Sequence, residues 1–211
     1  MTWLVFGGTS GIGRHIVEQA AERDVPVRAF GRSAEDVTFS HPNVAAFKGD
    51  ALDADDVNRA LEGVNVVVQA LGVKERPAML WEEETLFSQA TSILLPAMLK
   101  ANVDRLIAVT GYGSGDSAAS MSKLVKVGHN AVLGRVYEDK TRQEALIQTS
   151  DVKWTLVRPT ILTNGSLSTQ YKVLTDPATW RLGAISRADV AHFVVECGLA
   201  GAHIGEAVVL A

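Results

Sequence analysis

The chain has 211 residues, an apolar fraction of 47% and a formal net charge of −4, which suits one α/β domain with a substantial core. No uncharged apolar stretch approaches the roughly 20 residues that cross a bilayer, and no basic block suits a nucleic-acid backbone. The lone cysteine, Cys197, lies among apolar residues, so we expect a core thiol and neither a disulfide nor a metal site.

The first predicted strand, 3–6, follows Met1 almost at once. No leader-like segment precedes it, which predicts a cytoplasmic protein. A monomer and a homodimer are both compatible with the sequence.

Short β-branched runs then alternate with segments of helical period along most of the chain. This pattern is typical of a parallel sheet covered by helices on both faces, and it predicts one Rossmann-type, doubly wound α/β domain over 1–211. Strands are predicted at 3–6, 25–30, 44–47, 64–69, 106–110 and 154–157, with a seventh at 207–210. Helices are predicted at 13–23, 53–61, 83–101, 138–150 and 187–198, and Asp53 and Ser186 are the expected N-caps of two of them.

A glycine-rich turn joins the first strand to the first helix. Its residues are Gly7, Gly8, Thr9, Ser10, Gly11, Ile12, Gly13 and Arg14. Gly7 and Gly8 permit a tight turn, Gly11 lets the backbone approach a pyrophosphate, and the absence of a side chain at Gly13 lets the helix pack closely. Because the first amides of a helix attract negative charge, we predict that this turn binds the diphosphate of a dinucleotide.

The end of the second strand favours NADP(H) over NAD(H). Sites for NAD(H) place an acidic residue there to bind the ribose 2′-hydroxyl, whereas this chain has Arg32. A guanidinium binds a 2′-phosphate in a forked geometry, and Arg14 is a candidate to assist it. Glu35 and Asp36 argue for NAD(H), since either could reach back to the ribose.

Two further strands end in residues expected at the same edge of the sheet. Ala70, Leu71 and Gly72 follow the fourth strand, and Asp50 follows the third. Ligands of open α/β sheets bind at this carboxyl edge. Asp50 either faces the adenine or serves the approach to the helix that begins near Asp53.

The stretch 111–134 interrupts the alternation with five glycines and four serines. A loop of this length is predicted to be a lid or binding loop, with a disordered surface excursion as the alternative. It contains His129, a candidate proton donor, while Met79 and Trp81 after the fourth strand could line an acceptor pocket or simply pack.

Several of these motifs together resemble the atypical short-chain dehydrogenase/reductases, above all NmrA-like proteins and the biliverdin-IX-beta (flavin) reductase group. They are the glycine-rich turn, Phe30-Gly31-Arg32, Gly49-Asp50, the segment from Lys140 to Glu144, Val157-Arg158-Pro159 and the segment from Ile185 to Ala191. The resemblance implies an NAD(P)-binding protein in which Pro159 and Lys140 contact the cofactor.

It also implies catalytic roles at three positions. Lys140 occupies the lysine position of the family, where that residue holds the nicotinamide ribose, and Thr110 lies near the position of the family's serine. The family's tyrosine precedes the lysine by four residues, where this chain has Val136, with Tyr137 next to it. One residue of a helix is about 100° of rotation, so Tyr137 is not a simple replacement.

Two functions are compatible with a chain that lacks the family's tyrosine at its usual position. Without a well-placed phenol an isolated ketone is hard to reduce, because the alkoxide needs a proton, whereas a flavin, quinone or tetrapyrrole can collect its proton from water. The sequence therefore predicts an NADPH-dependent reductase of a flat conjugated small-molecule acceptor. The alternative is a non-catalytic redox sensor of the NmrA type that binds NADP(H), and an epimerase or dehydratase fits less well because it needs a proton shuttle.

Overall fold

The computed structural model describes residues 1–73, 83–121 and 123–211, with the backbone alone for 123–133. The helices in this part of the chain are α1 (Gly11–Glu22), α2 (Ala54–Ala60), α3 (Leu86–Lys100), α4 (Lys123–Gln148) and α5 (Arg187–Ala200). None of them is both long and apolar enough to cross a bilayer. The strands are β1 (Trp3–Phe6), β2 (Val27–Gly31), β3 (Val44–Lys48), β4 (Val66–Gln69), β5 (Arg105–Val109), β6 (Lys153–Pro159), β7 (Ile161–Thr163), β8 (Val173–Leu174), β9 (Ala184–Ser186) and β10 (Glu206–Leu210).

Within the described residues, the main sheet has eight strands in the order β3-β2-β1-β4-β5-β6-β10-β8. Strand β8 pairs antiparallel with β10, and the other neighbours pair in parallel. The chain winds outward from β1 to β3 and then returns to β4 on the other side of β1. This reversal creates a crevice at the carboxyl ends of β1 and β4, where open α/β sheets bind ligands. The predicted doubly wound architecture is confirmed.

Helices cover both faces of the sheet. Successive strand residues point to opposite sides, so each strand contributes side chains to both layers. Trp3 and Val5 pack with residues of α1 and α5, whereas Leu4 and Phe6 pack with residues of α2 and α3. Helix α5 lies close to the sheet, since the Trp3 ring occupies the space of a Cβ on Gly198. Cys197 is buried in this layer, as expected.

The two predicted N-caps are also confirmed. The Asp53 carboxylate accepts hydrogen bonds from the amides of Asp55 at 2.9 Å and Asp56 at 3.0 Å. The Ser186 hydroxyl accepts one from the amide of Asp189 at 2.9 Å. Each satisfies backbone donors that the first turn of a helix leaves unpaired.

The expectation of a loop over 111–134 is wrong for most of its length. Helix α4 begins at Lys123, and Gly115–Ser120 form a short 3-10 helix. A glycine within a helix costs only about 1 kcal/mol relative to alanine, and α4 also buries Val136 and Ile147 farther along. The side chain of His129 lies outside the described part of the chain, as do Met79 and Trp81.

The sequence also missed the small strands β7, β8 and β9. They have two or three residues each, too few for a periodic pattern. Strands β7 and β9 pair in parallel as a separate two-stranded sheet, with Thr163 opposite Ser186. This pairing delivers the start of α5 to the carboxyl edge of the main sheet.

Candidate functional site

A cleft of about 830 Å³ lies at the carboxyl ends of the parallel strands. Its walls come from the residues that follow β1 to β6, together with residues from α4 and from the starts of α3 and α5. The lining residues are Gly7, Thr9, Ser10, Gly11 and Ile12, the segments 30–33, 49–52 and 70–73, and Glu84, Leu86, Val109, Thr110, Lys140, Pro159, Leu162 and Arg187.

The glycine-rich turn has the close packing that the sequence predicts. Gly7 has φ +76°, and a Cβ there would lie 2.5 Å from the carbonyl oxygen of Ala70. A Cβ on Gly13 would lie 2.1 Å from the carbonyl oxygen of Gly7, so only glycine lets α1 start this close to the turn. Gly11, at φ +53°, faces open space, and the N-cap Ser10 makes no side-chain capping bond. The amide end of α1 thus meets the cleft with room for a phosphate group.

Arg32 lies at the end of the cleft formed by β2. Its side chain is exposed, and it makes no ion pair or hydrogen bond with the other residues that the structure describes. Glu35 is paired instead with Lys48, at 3.1 Å between Oε2 and Nζ. Neither Glu35 nor Asp36 is among the residues that line the cleft.

Asp50 serves the approach to α2, which is one of the two roles that the sequence left open, and it is also a cleft residue. It lines the cleft, and its Oδ1 accepts a hydrogen bond from the amide of Leu52 at 3.0 Å. Its own amide donates to Asp56 of α2 at 2.8 Å. Asp50 therefore shapes the turn that leads to α2 while presenting a carboxylate to the cleft.

Three residues of the predicted cofactor set, Gly8, Gly13 and Arg14, do not line the cleft. Gly8 and Gly13 serve packing, since a Cβ on Gly8 would lie 3.1 Å from Cα of Ala29. Arg14 lies on α1, where its Nε donates to Glu18 at 2.8 Å. The side chain of Arg14 is thus engaged along the helix rather than at the turn.

Lys140 meets the cleft beside the end of β5. Its Nζ donates a hydrogen bond to the carbonyl oxygen of Thr110 at 2.5 Å and lies 4.8 Å from the centroid of the Phe87 ring. Burial lowers the pKa of Lys140 to about 8, although the charges of Glu144 and Asp139 act in the opposite direction. The ammonium group is therefore held in place and loses its proton more easily than an exposed lysine.

A buried ion pair lies directly behind Thr110. The Thr110 hydroxyl donates to Oε1 of Glu144 at 2.6 Å, and so does the hydroxyl of Ser114 at 2.6 Å. Arg158 binds both oxygens of the same carboxylate, at 3.0 and 2.7 Å. Because the Thr110 hydroxyl donates to Glu144, only its lone pairs remain for a ligand in the cleft.

Tyr137 lies beside the cleft, with its ring centroid 5.9 Å from Nζ of Lys140. Val136 is buried, and Tyr137 is half-buried and does not line the cleft. The Tyr137 hydroxyl lies 2.6 Å from the position of a Cβ on Gly111, so any larger residue at 111 would force the ring to shift. Burial raises the pKa of Tyr137, which weakens it as an acid at neutral pH.

A buried carboxylate on α4 organises the adjoining wall. Asp139 accepts hydrogen bonds from the amides of Phe87 at 2.8 Å and Ser88 at 3.2 Å. It thereby caps α3, whose first residue Leu86 lines the cleft, and it precedes Lys140 in the chain. No sequence pattern indicates this cap, because the two partners are about 50 residues apart.

Sequence reasoning missed several lining residues, among them Arg187, Glu84 and Leu162. Arg187 had a usable signal, since it directly follows the predicted N-cap Ser186 at the start of a helix. Leu162 belongs to the unpredicted strand β7, and Glu84 precedes α3. These positions depend on chain segments whose course the periodic pattern does not show.

An open parallel sheet, a glycine-rich turn at its reversal point and a cleft of these dimensions define a dinucleotide-binding Rossmann domain. The glycine positions that a Cβ would obstruct, and the open amide end of α1, fit such a ligand. The chain belongs to the NAD(P)H-binding family, whose model matches residues 7–199. The resemblance to the atypical short-chain dehydrogenase/reductases is thereby confirmed.

Solved structures share this fold along the whole chain. ChuY, an anaerobilin reductase from Escherichia coli O157:H7, is 27% identical with a TM-score of 0.82, and the match covers 100% of this chain and 96% of that one. The oxidoreductase YlbE from Lactococcus lactis is 19% identical with a TM-score of 0.84, covering 100% and 90%. A short-chain dehydrogenase/reductase from Veillonella parvula in complex with NADP is 16% identical with a TM-score of 0.83, covering 99% and 93%. A search of curated proteins finds no significant match.

Proposed function

We propose that this protein is an NADPH-dependent reductase that transfers a hydride to a flat conjugated acceptor of the tetrapyrrole, flavin or quinone type. The main support for the proposal is a difference between two positions of α4. Lys140 lines the same cleft as the glycine-rich turn, while Val136, at the tyrosine position of the family, is buried. This difference supports a cleft that binds the cofactor as in the family but without the family's usual proton donor.

The geometry of the cleft supports NADPH as the cofactor. The amide end of α1 would bind the diphosphate, and Lys140 would hold the nicotinamide ribose. Arg32 lines the cleft where a 2′-phosphate would lie, and the nearby Glu35 is already paired with Lys48. A bound nicotinamide cofactor would supply the hydride, while the chain positions the two rings and excludes water.

The surroundings of the two candidate proton donors, Tyr137 and Thr110, favour an acceptor that delocalises the incoming charge. Tyr137 does not line the cleft, and the hydroxyl of Thr110 donates to Glu144. Neither group suits rapid protonation of an isolated alkoxide. A tetrapyrrole spreads the incoming charge over its conjugated system, and the anaerobilin reductase at 27% identity favours this class among the three.

The segment 111–121 is our candidate for the wall over the acceptor. It starts directly after Thr110, and Gly113 donates its amide to the Ser117 hydroxyl at 2.9 Å. Gly115 donates to the Thr141 hydroxyl on α4 at 3.0 Å. The first bond lies within the segment, and the second joins it to the helix that carries Lys140.

Stopped-flow absorbance at the NADPH band tests the proposal, with biliverdin, free flavin and a quinone as acceptors. We expect NADPH oxidation above the background rate with at least one of them, and a slower rate in Lys140→Met. Lys153→Ala is the matched control, because Lys153 is exposed and pairs with Asp104 at 2.7 Å at the opposite end of β6.

The same measurement separates the two functions. If the protein binds NADPH but none of the acceptors oxidises it above background, the reductase is excluded. The non-catalytic redox sensor, which needs only the cofactor half of the cleft, would then be the better description.

A further inference from the structure

Arg187 is a positively charged residue of the cleft that has no role in the proposed binding of the cofactor. It is the first residue of α5 and lines the cleft. Its Nη1 donates to Oδ1 of Asn164 at 2.7 Å and to the carbonyl oxygen of Thr163 at 3.3 Å. These two bonds hold one side of the guanidinium group against the end of β7.

The charge of Arg187 is not neutralised by these partners, because both are neutral. In the described part of the chain no carboxylate lies within ion-pair distance of it. Asp189, two residues along α5, accepts hydrogen bonds from the hydroxyl of Ser186 at 2.8 Å and the amides of Ser168 and Thr169 at 2.9 and 2.8 Å. The remaining N–H donors of the guanidinium are therefore open to an anionic ligand.

The surroundings of Arg187 point to the acceptor rather than the cofactor. Arg32 and Lys140 lie at the ends of β2 and β5, whereas Arg187 adjoins β7, which follows β6. Strand β6 lies beyond β5 in the sheet order. Leu162 of β7 supplies apolar cleft surface in this region. An apolar wall beside a fixed cation suits a flat ring system that carries an acidic group.

We propose that Arg187 binds a carboxylate of the acceptor and thereby selects conjugated acceptors that carry acidic side groups. This inference rests on the proposed function, because it assigns the β6–β7 side of the cleft to the acceptor. The other source of an anion is the diphosphate of the dinucleotide, and the experiment distinguishes the two.

Binding of biliverdin and of its dimethyl ester to NADP⁺-saturated protein tests the inference, with quenching of the protein's tryptophan fluorescence as the readout. The two probes share the ring system and differ in their carboxylates. Wild-type protein is expected to prefer the diacid. Arg187→Ala should weaken diacid binding roughly tenfold, as expected for a hydrogen bond to a charged group, and leave ester binding unchanged.

Three further variants test whether the preference for the diacid depends on the charge of Arg187. Arg187→Lys should retain part of the preference, because it keeps the positive charge. Asn164→Asp should abolish the preference while leaving Arg187 in place, since it puts a carboxylate where the 2.7 Å bond now lies. Arg181→Ala is the control, as Arg181 is exposed and does not line the cleft.

Equal losses for diacid and ester in Arg187→Ala would overturn the inference, as would a wild-type protein that does not distinguish them. A weaker affinity of Arg187→Ala for NADP⁺ itself, measured by calorimetry, would also overturn it, since the anion would then be the diphosphate. Because these readouts need no turnover, a failure to oxidise NADPH would count against the proposed reductase and not against the binding of carboxylates by Arg187.

Discussion

Lys140 and Thr110 are joined by a hydrogen bond from the ammonium group to the backbone carbonyl oxygen at 2.5 Å. A backbone acceptor at the end of β5 cannot move away without disrupting the strand. The lysine of α4 is therefore fixed relative to the carboxyl edge of the sheet, where the ribose of a dinucleotide would lie.

This fixed, half-buried lysine predicts a pH dependence of cofactor binding. The pKa of Lys140 is lowered by burial to about 8, so its ammonium form is present below that pH and lost as the pH rises through it. If the charge holds the cofactor, NADP⁺ affinity should fall by up to roughly tenfold above that pH. Calorimetric titrations on either side of pH 8 measure the change.

Lys140→Arg is the matched variant for this prediction, because a guanidinium keeps its charge throughout the range. Its NADP⁺ affinity should stay nearly constant over the same pH interval. A decline of equal size in both proteins would show that another group is responsible.

Arg32 should determine the choice between the two nicotinamide cofactors. Replacement by Asp removes a fork-shaped donor for the 2′-phosphate and adds a repulsive charge. We expect the ratio of NADPH to NADH affinity to fall by at least about tenfold in Arg32→Asp, mostly through weaker NADPH binding. Dissociation constants for both cofactors give this ratio directly.

Arg14 supplies the comparison for Arg32, since it is also exposed but pairs with Glu18 along α1. Arg14→Ala should change the ratio much less than Arg32→Asp. An unaltered ratio in Arg32→Asp would refute the assignment of this residue to the 2′-phosphate.

Gly13 should be indispensable for cofactor binding for a purely steric reason. In Gly13→Ala the new methyl group would lie 2.1 Å from the carbonyl oxygen of Gly7, so α1 or the turn must shift. We expect loss of measurable NADPH binding by calorimetry together with a lower melting temperature. The amides that converge on the diphosphate would no longer share one geometry.

Gly63→Ala separates this effect from ordinary glycine strain. Gly63 has φ +71°, a methyl group on it would meet no atom within 4 Å, and it lies outside the cleft. Its replacement should cost only about 1 kcal/mol of stability and leave NADPH affinity unchanged. Similar binding losses in both variants would mean that the contact at Gly13 is not the cause.

The features that could be predicted from the sequence are those that depend on local patterns of residues. The glycine spacing from Gly7 to Gly13, the strand periodicity and the caps at Asp53 and Ser186 each depend on residues close together in the chain. Their physical requirements are short-range, such as a missing Cβ or an unpaired amide. For this reason most of the cleft floor can be recognised from the sequence alone.

The parts that escaped prediction depend on contacts between distant segments. Glycines at 128 and 134 indicated a loop, yet they lie inside α4. Asp139 was not recognised as the cap of α3, and Arg187 follows directly after β9, which pairs with β7 in a small sheet. Predicting such features requires knowledge of which helices and strands are neighbours in space. A single sequence does not give that information.

The buried pair of Glu144 and Arg158 should be a major determinant of stability. Their side chains are 1% and 0% exposed. Burial acts to lower the pKa of Arg158, but the hydrogen bonds and charge of Glu144 outweigh it and the pKa is raised. Among the residues that the structure describes, Glu144→Ala would leave Asp116, whose side chain is 65% exposed, as the one carboxylate paired with the guanidinium. We expect a loss of about 3–5 kcal/mol in the free energy of unfolding, measured with urea.

Removing both charges should be less damaging than the sum of the single changes, because no uncompensated charge remains in the core. Glu144→Met with Arg158→Met is therefore expected to show a coupling energy above about 1 kcal/mol relative to the two single variants. Asp104→Ala provides the surface comparison, since Asp104 and Lys153 are 60% and 58% exposed, and it should cost less than about 1 kcal/mol. If Glu144→Ala costs no more than Asp104→Ala, then Arg158 is satisfied without Glu144, and the carboxylate does not hold Thr110 and the end of β5 in place.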